Sequence, residues 1–256
     1  MKNFSKKLFI CFSANDRYDI VQPVVYHLKN YGIDIWYDRY EMVMGDNRIK
    51  KNIEEGVREC EYALIILSKN TINSLCAMEE IKILKSRYHK REVVIFPVLY
   101  ELKPCDIPHE LAWISLLIFK ETHRNTGTLE ICNHIACKIT QDILKNSRYR
   151  NIKEIVNDNL QSLPNPANSL LEKYTKVDSA NLNSRITLLY ATYLTIVESK
   201  NLTIDSKCDV PCKVFERLFA ENLLNLAIDY RELWLLENSM CILVENYITS
   251  CTESKI

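Results

Sequence analysis

Four short apolar runs, each set off by a stretch of helical periodicity, constrain this chain more than any other feature. "KLFICFS" (7–13), "IDIWY" (33–37), "YALIILS" (62–68) and "EVVIFPVLY" (92–100) are continuous, rich in aliphatic and aromatic residues, and bounded by polar or turn-forming residues. Runs of that length and composition read as buried strands. Between the first two, "DIVQPVVYHLKNYG" places apolar residues at 20, 21, 24, 25 and 28, a helical spacing. Pro23 falls in the first turn, where its missing N–H has no partner to lose, and Gly32 supplies a left-handed cap. "DRYEMVMGDN" (38–47) reads as a loop. "RIKKNIEEGVREC" reads as a helix with Ile49, Ile53 and Val57 on one face, and "TINSLCAMEEIKILKSRY" as a helix after a short turn. "WISLLIF" (113–119) is expected to be a fifth strand. "TGTLEICNHIACKITQDIL" is expected to be a further helix with Leu129, Ile131, Ile135, Ile139 and Ile143 as its core stripe.

Strands alternating with helices predict a parallel sheet covered on both faces. Five such units in about 145 residues fit an α/β flavodoxin-like domain with strand order 2-1-3-4-5, over residues 1–147. In that order strands one and three are neighbours and the winding reverses between them. Ligands bind outside the carboxyl ends of the strands at that point. Two loops face the crevice: "SAND" (13–16) and "SKNTINS" (68–74).

Just beyond the second loop, "SLCAMEEI" (74–81) carries two adjacent acids. Helix phase separates them. With Ala77, Ile81 and Leu84 on the buried face, Glu79 points about 160–180° from its centre and Glu80 about 80–100°. Glu79 is expected in solvent and Glu80 at an edge that looks into the crevice. Two solvated acids near a helix N-terminus, favoured by the helix dipole, are the plainer alternative.

Composition removes several function classes. The chain has only four glycines, Gly32, Gly45, Gly56 and Gly127, and they are scattered. A Rossmann fingerprint or a P-loop needs clustered glycines to bring backbone N–H groups onto phosphate, so neither can be built. The formal net charge is zero, which argues against bulk electrostatic binding to nucleic acid or to an anionic membrane. The longest apolar runs are too short to span a bilayer. "MKNFSKKLFICF" lacks the apolar core of a secretory signal. A cytoplasmic location with reduced thiols is the expectation, despite ten cysteines. No Cys-x-x-Cys or His-Glu-x-x-His occurs, so no metal is expected.

The order "FICFSANDR", "GIDIWYDRYEMVMGDNRIKKNIEEGVREC", "YALIILSKNTINSLCAMEEI" and "VVIFPVLY" resembles a TIR domain, the Toll/interleukin receptor fold, over about residues 6–145. Enzymatic TIR domains cleave NAD+ at the nicotinamide–ribose bond with one glutamate in a Ser-x-Trp-Cys-x-x-Glu-Leu-like pattern. Aligned without a gap from Ser68, that glutamate falls on Glu80, with Ile81 in the place of the leucine. Cys76 stands where the family often has tryptophan, a departure in the packing beside the carboxylate.

The resemblance implies Glu80 as catalytic residue and Phe12, Ser13, Asn15, Asp16, Trp36, Asp38 and Ser74 as substrate contacts. Turn and capping chemistry is the other reading of Ser13, Asn15, Asp16 and Asp38, and packing that of Trp36. Arg39 and Gly45 belong to the family's BB loop, which implies TIR–TIR self-association. NAD+ is implied as substrate with no separate cofactor, and the product as ADP-ribose or a cyclic ADP-ribose, the latter for a downstream effector that senses it. Similarity to bacterial antiphage TIR proteins places such an activity in antiviral defence. A non-catalytic TIR adaptor working through assembly, and a nucleoside-processing enzyme on a related fold, are the alternatives.

The remainder, 148–256, reads as an all-α accessory domain. A short helix is expected from about 150. "NLQSLPNPANS" (159–169) reads as a linker or turn, and "NLNSRITLLYATYLTIVESK" (181–200) as a helix. Residues 211–251 read as one long helix or two packed ones, with Leu218, Leu223, Leu226, Trp234, Leu235 and Leu243 as apolar surface.

Overall fold

In the computed structural model, which describes residues 8–158, 163–198, 208–223 and 229–253, the apolar runs become one five-stranded sheet. The strands are β1 (Leu8–Cys11), β2 (Ile35–Trp36), β3 (Tyr62–Leu67), β4 (Val94–Tyr100) and β5 (Lys120–Thr122). They pair in parallel in the order β2-β1-β3-β4-β5, as the alternation predicts. β3 is central because all six of its residues are apolar and buried, which suits a strand covered on both faces. It holds β1 from Leu8↔Tyr62 to Cys11↔Ile65 and β4 from Tyr62↔Val94 to Leu67↔Leu99.

The helical segments follow the sequence pattern with instructive exceptions. α1 (Gln22–Asn30) starts with Pro23 in its first turn, after a π-helical stretch Arg17–Val21. Gly32 follows it at φ 70°, the left-handed region that glycine enters without steric cost. The stretch expected to be loop opens with one helical turn, α2 (Asp38–Glu41), before the chain turns out to Gly45 at φ 100°. A π-helical segment, Ile49–Val57, buries Ile53 and Val57 but leaves Ile49 48% exposed. The wider π turn changes the phase, so Asn52 and Gly56 take the inward face beside Ile53 and Val57. Gly56 is required there: a Cβ would meet Trp36 at 2.9 Å and Phe9 at 3.0 Å. α3 (Lys69–Ile72) and α4 (Leu75–His89) follow β3, each capped by a serine.

The expected fifth strand is wrong in position. His109–Leu116 forms 3₁₀ turns that bury Leu111, Trp113 and Ile114 while Leu116 and Ile118 stay exposed. β5 is instead "KET", pairing Lys120–Thr122 with Val98–Tyr100. A short apolar run does not by itself separate strand from buried helical turn. An edge strand needs no second apolar face, and charged residues on it blunt unwanted pairing.

The chain's contacts divide it into two units between Cys132 and Asn133, inside α5 (Leu129–Ser147). In the second unit α6 (Ile152–Asn157) begins with a reciprocal capping box between Asn151 and Glu154. α7 (Asn165–Lys176) corrects the linker expectation for 165–169, since proline fits the first helical turn as well as it fits a loop. Leu163, just before it, is buried, and the expected linker's residues 159–162 lie outside the described residues. α8 (Leu182–Val197), α9 (Asp209–Leu223) and α10 (Tyr230–Glu253) follow, so the described residues of 211–251 form two helices. Leu235 and Leu243 are buried and Trp234 is 43% exposed. Leu226, and the side chains of Leu218 and Leu223, lie outside the described residues. Tyr193 stacks on Phe215 with ring centroids 4.7 Å apart. Among the described residues no helix is long and apolar enough to cross a membrane.

Candidate active site

Three chain segments converge at the carboxyl end of β1. The first is β1's own exit, Cys11 to Arg17. The second runs from β2 through the segment Ile49–Val57. The third is α3 and the start of α4. Ser74 caps α4 by accepting a hydrogen bond from the Ala77 amide at 3.3 Å, which sets the phase of the helix. From that start Ala77, Ile81 and Leu84 face the core, and the two acids part as helix phase predicts. Glu79 is exposed and ion-paired with Arg48. Glu80 is only 7% exposed.

Glu80 is held from several directions. The Asn52 amide donates to its Oε1. The Cys11 thiol, fully buried nearby, donates to the Ala77 carbonyl at 3.6 Å, and the charges of Arg48 and Asp38 reach the carboxylate. Burial dominates and pushes the carboxyl from 4.5 up to about 7. The Asn52 hydrogen bond, the nearby Cys11 thiol and the Arg48 charge pull it down, and Asp38 adds to the rise. Desolvation penalises the charged form, so a carboxyl left near the crevice with few donors titrates around neutrality. Burial, and after it the Glu80 charge, raise the Cys11 thiol well above its usual range, so it remains a neutral donor. One guanidinium nitrogen of Arg48, Nη1, is buried without a hydrogen-bond partner.

Two brackets join the loops at this end of the sheet. Asp16, 2% exposed, accepts from Ser68 Oγ at 2.5 Å, Asn70 Nδ2 at 2.6 Å and Thr71 Oγ1 at 3.4 Å. This ties the loop after β1 to the turn after β3, the two loops that flank the reversal of winding. Ser13, also buried, caps the 3₁₀ turn Ala14–Asp16 by accepting from the exposed Asn15's amide at 3.4 Å. In the second bracket Arg17 donates two 2.6 Å hydrogen bonds to Asp38 and one of 3.1 Å to the Tyr37 hydroxyl. Its guanidinium lies 5.0 Å from the Phe12 ring centre and 5.6 Å from that of Tyr37. The loops after β1 and β2 are thereby joined through a residue that the sequence pattern does not single out.

Trp36 is 2% exposed and packs on Phe9 with centroids 5.2 Å apart, under Gly56. Arg39 is exposed, its guanidinium 5.5 Å from the Tyr18 ring centre. Gly45 marks the tip of an exposed turn in which Val43 is 73% exposed and Met44 wholly so. Asn52 and Arg17 escape the sequence pattern, whereas Ser68, Asn70 and Thr71 lie in the loop 68–74 that the pattern places at the crevice without singling them out. Asn52 alone left a signal, a polar residue next to Ile53 in the inward phase of its helix. Among the described residues no group of three or more His, Cys, Asp or Glu side chains is placed to hold a metal ion.

A family model described as TIR domain matches residues 8–128. The 2′ cyclic ADP-D-ribose synthase AbTIR of Acinetobacter baumannii is 27% identical over 100 residues, 39% of this chain and 37% of that protein. The NAD(+) hydrolase TcpC of Escherichia coli is 29% identical over 100 residues, 39% of this chain and 32% of that protein. The protein named probable 2′ cyclic ADP-D-ribose synthase TcpO, of Methanobrevibacter olleyae, is 28% identical over 144 residues, 55% of this chain and 41% of its own. The chain thus spans well under half the length of these relatives.

Proposed function

Residues 8–128 are a TIR domain, and on that premise we propose that the chain cleaves the nicotinamide–ribose bond of NAD+ with Glu80 as the catalytic carboxylate. The observation that carries this reading is the environment of Glu80: a carboxylate on the second turn of α4, buried at the carboxyl end of β1 and oriented by Asn52. The relatives named NAD(+) hydrolase and 2′ cyclic ADP-D-ribose synthase support it.

The chemistry asks for one anion and no general acid. The nicotinamide of NAD+ is cationic while attached and leaves as a neutral base, taking the electron pair of the broken C–N bond. The ribose carbon left behind gains positive charge, as in glycoside hydrolysis. A carboxylate fixed in a poorly hydrated site stabilises that charge and accepts hydrogen bonds from the ribose hydroxyls. Water adding to the carbon gives ADP-ribose and releases a proton. A hydroxyl of the same molecule adding instead closes a ring, a product suited to a downstream effector that senses it. Asn52 positions the carboxylate, and the brackets built on Asp16 and Arg17 hold the loops that border it.

Release of free nicotinamide by the purified chain tests the proposal. Activity lost in Glu80→Gln and kept in Glu79→Gln is the expected result. Loss in both, or in neither, refutes the assignment. A second reading, assembly through the loop at 38–47, is favoured by the exposed Val43 and Met44 beside Gly45. Apolar side chains held out on a turn suit contact with a second copy. Light scattering of the chain and of Met44→Glu at several concentrations tests it, and an unchanged mass in both refutes it.

A further inference from the structure

The second unit contains a cavity of about 500 Å³ that the reading above does not use. Its size lies in the range of small-molecule sites, roughly 300–1,000 Å³, and its lining combines flat rings with a few converging polar groups. At one wall Tyr174 donates its hydroxyl to Glu237 Oε1, and Arg185 donates to both. Burial, and after it Glu237, raise the Tyr174 hydroxyl far above its usual value, so it stays a neutral donor. Both of these bonds end on Oε1, and the second oxygen of the half-buried Glu237 makes no hydrogen bond among the described residues. Lys153 lines the same cavity, exposed and without an ion pair among the described residues. Trp234 lines it too, 43% exposed, with the Arg231 guanidinium 5.6 Å from its ring centre.

We propose that this cavity is a nucleotide-binding site, with Trp234 against the base, the free Glu237 oxygen on ribose hydroxyls, and Lys153 and Arg185 on phosphate. Each group meets the part of the ligand its chemistry suits. An indole offers a stacking face and a cation over it reinforces stacking. A carboxylate oxygen accepts from vicinal hydroxyls, and an ammonium and a guanidinium donate to phosphate oxygens by charge-assisted hydrogen bonds. Of the lining cations, Arg150 and Arg185 are paired with carboxylates, so Lys153 carries the uncompensated charge that favours an anionic group. Arg150 is occupied by Glu245 and Asp158; Arg185 meets Glu237 and Tyr174 through Nη2 alone, which leaves Lys153 and the Arg185 Nη1, 3.5 Å from the Ser179 carbonyl, for the phosphate.

Calorimetric titration of the full chain with AMP, adenosine and inorganic phosphate tests the site. AMP is expected to bind saturably and more tightly than either fragment. Lys153→Glu, an exposed change, should weaken AMP about tenfold or more, through loss of a charge-assisted contact and its replacement by a repulsive one. Trp234→Ala should weaken AMP and adenosine but not phosphate. Nicotinamide release should be unchanged by both substitutions, and AMP binding unchanged by Glu80→Gln, which separates this site from the one in the first unit. No saturation with AMP overturns the proposal. So does AMP binding that is insensitive to both cavity substitutions, or that is no tighter than binding of phosphate.

Discussion

Replacing Glu80 by glutamine should stabilise the protein, and by an amount that grows with pH. The carboxyl titrates near 4.5 in an unfolded chain and at about 7 in the folded one, because burial disfavours its charged form. Below pH 4.5 both states hold the proton and the group contributes nothing to the difference. Between 4.5 and 7 the unfolded chain ionises while the folded one keeps its proton, so stability falls as pH rises. Above 7 both are ionised and the folded state carries the full cost of a buried carboxylate. The separation between about 7 and 4.5 is worth about 3 kcal/mol. Glutamine keeps an oxygen to accept from Asn52 and has no charge to desolvate. At about 2–4 °C per kcal/mol for a protein of this size, Glu80→Gln should melt roughly 6–12 °C above wild type at pH 8. The margin should shrink steadily towards pH 5. Thermal unfolding followed by circular dichroism at half-unit steps from pH 5 to 8.5 measures it, with Glu79→Gln as control. A constant margin across that range, or a wild type that is the more stable at pH 8, would show that Glu80 carries no buried-charge penalty.

The same titration predicts a rate profile: nicotinamide release should rise with pH through about 7 and then level, since only the ionised Glu80 stabilises the developing cation. A profile flat from pH 5.5 to 8.5 excludes Glu80 titration as its control. Asn52→Ala removes a donor that lowers the Glu80 value, so the rising limb should move to higher pH and activity at pH 7 should fall about tenfold; a lower rate with the limb unmoved would assign Asn52 a purely structural role. Arg17→Ala opens the bracket between Phe12 and Asp38 and should cost about 1–2 kcal/mol in chemical denaturation, the half-exposed pair being partly screened. An unchanged midpoint would show the bracket to be dispensable. Gly56→Ala forces a methyl against Trp36 and should destabilise by about 1–3 kcal/mol, visible as a lowered melting temperature.

Local periodicity carries the part of the fold that is legible along the chain. Runs such as "YALIILS" bury on both faces wherever they stand, and their alternation with helical segments leaves a parallel sheet as the way to cover them. The separation of Glu79 from Glu80 is local too, because Ser74 starts the helix and 100° per residue does the rest. The misplaced fifth strand shows the limit: in "WISLLIF" apolar character is present but its period is not that of a strand, and the polar "KET" wins the edge by its register with Val98–Tyr100. The chemistry around the carboxylate was decided only by tertiary structure. Asn52 meets Glu80 across 28 residues, Arg17 meets Asp38 across 21, and Asp16 meets Ser68 across 52. Sheet order brings those segments to one end of β1, and no pattern within a segment records which polar side chain it will find there. The titration of Glu80 near neutrality follows from that meeting, since the balance between burial and its few donors exists only once the segments have come together.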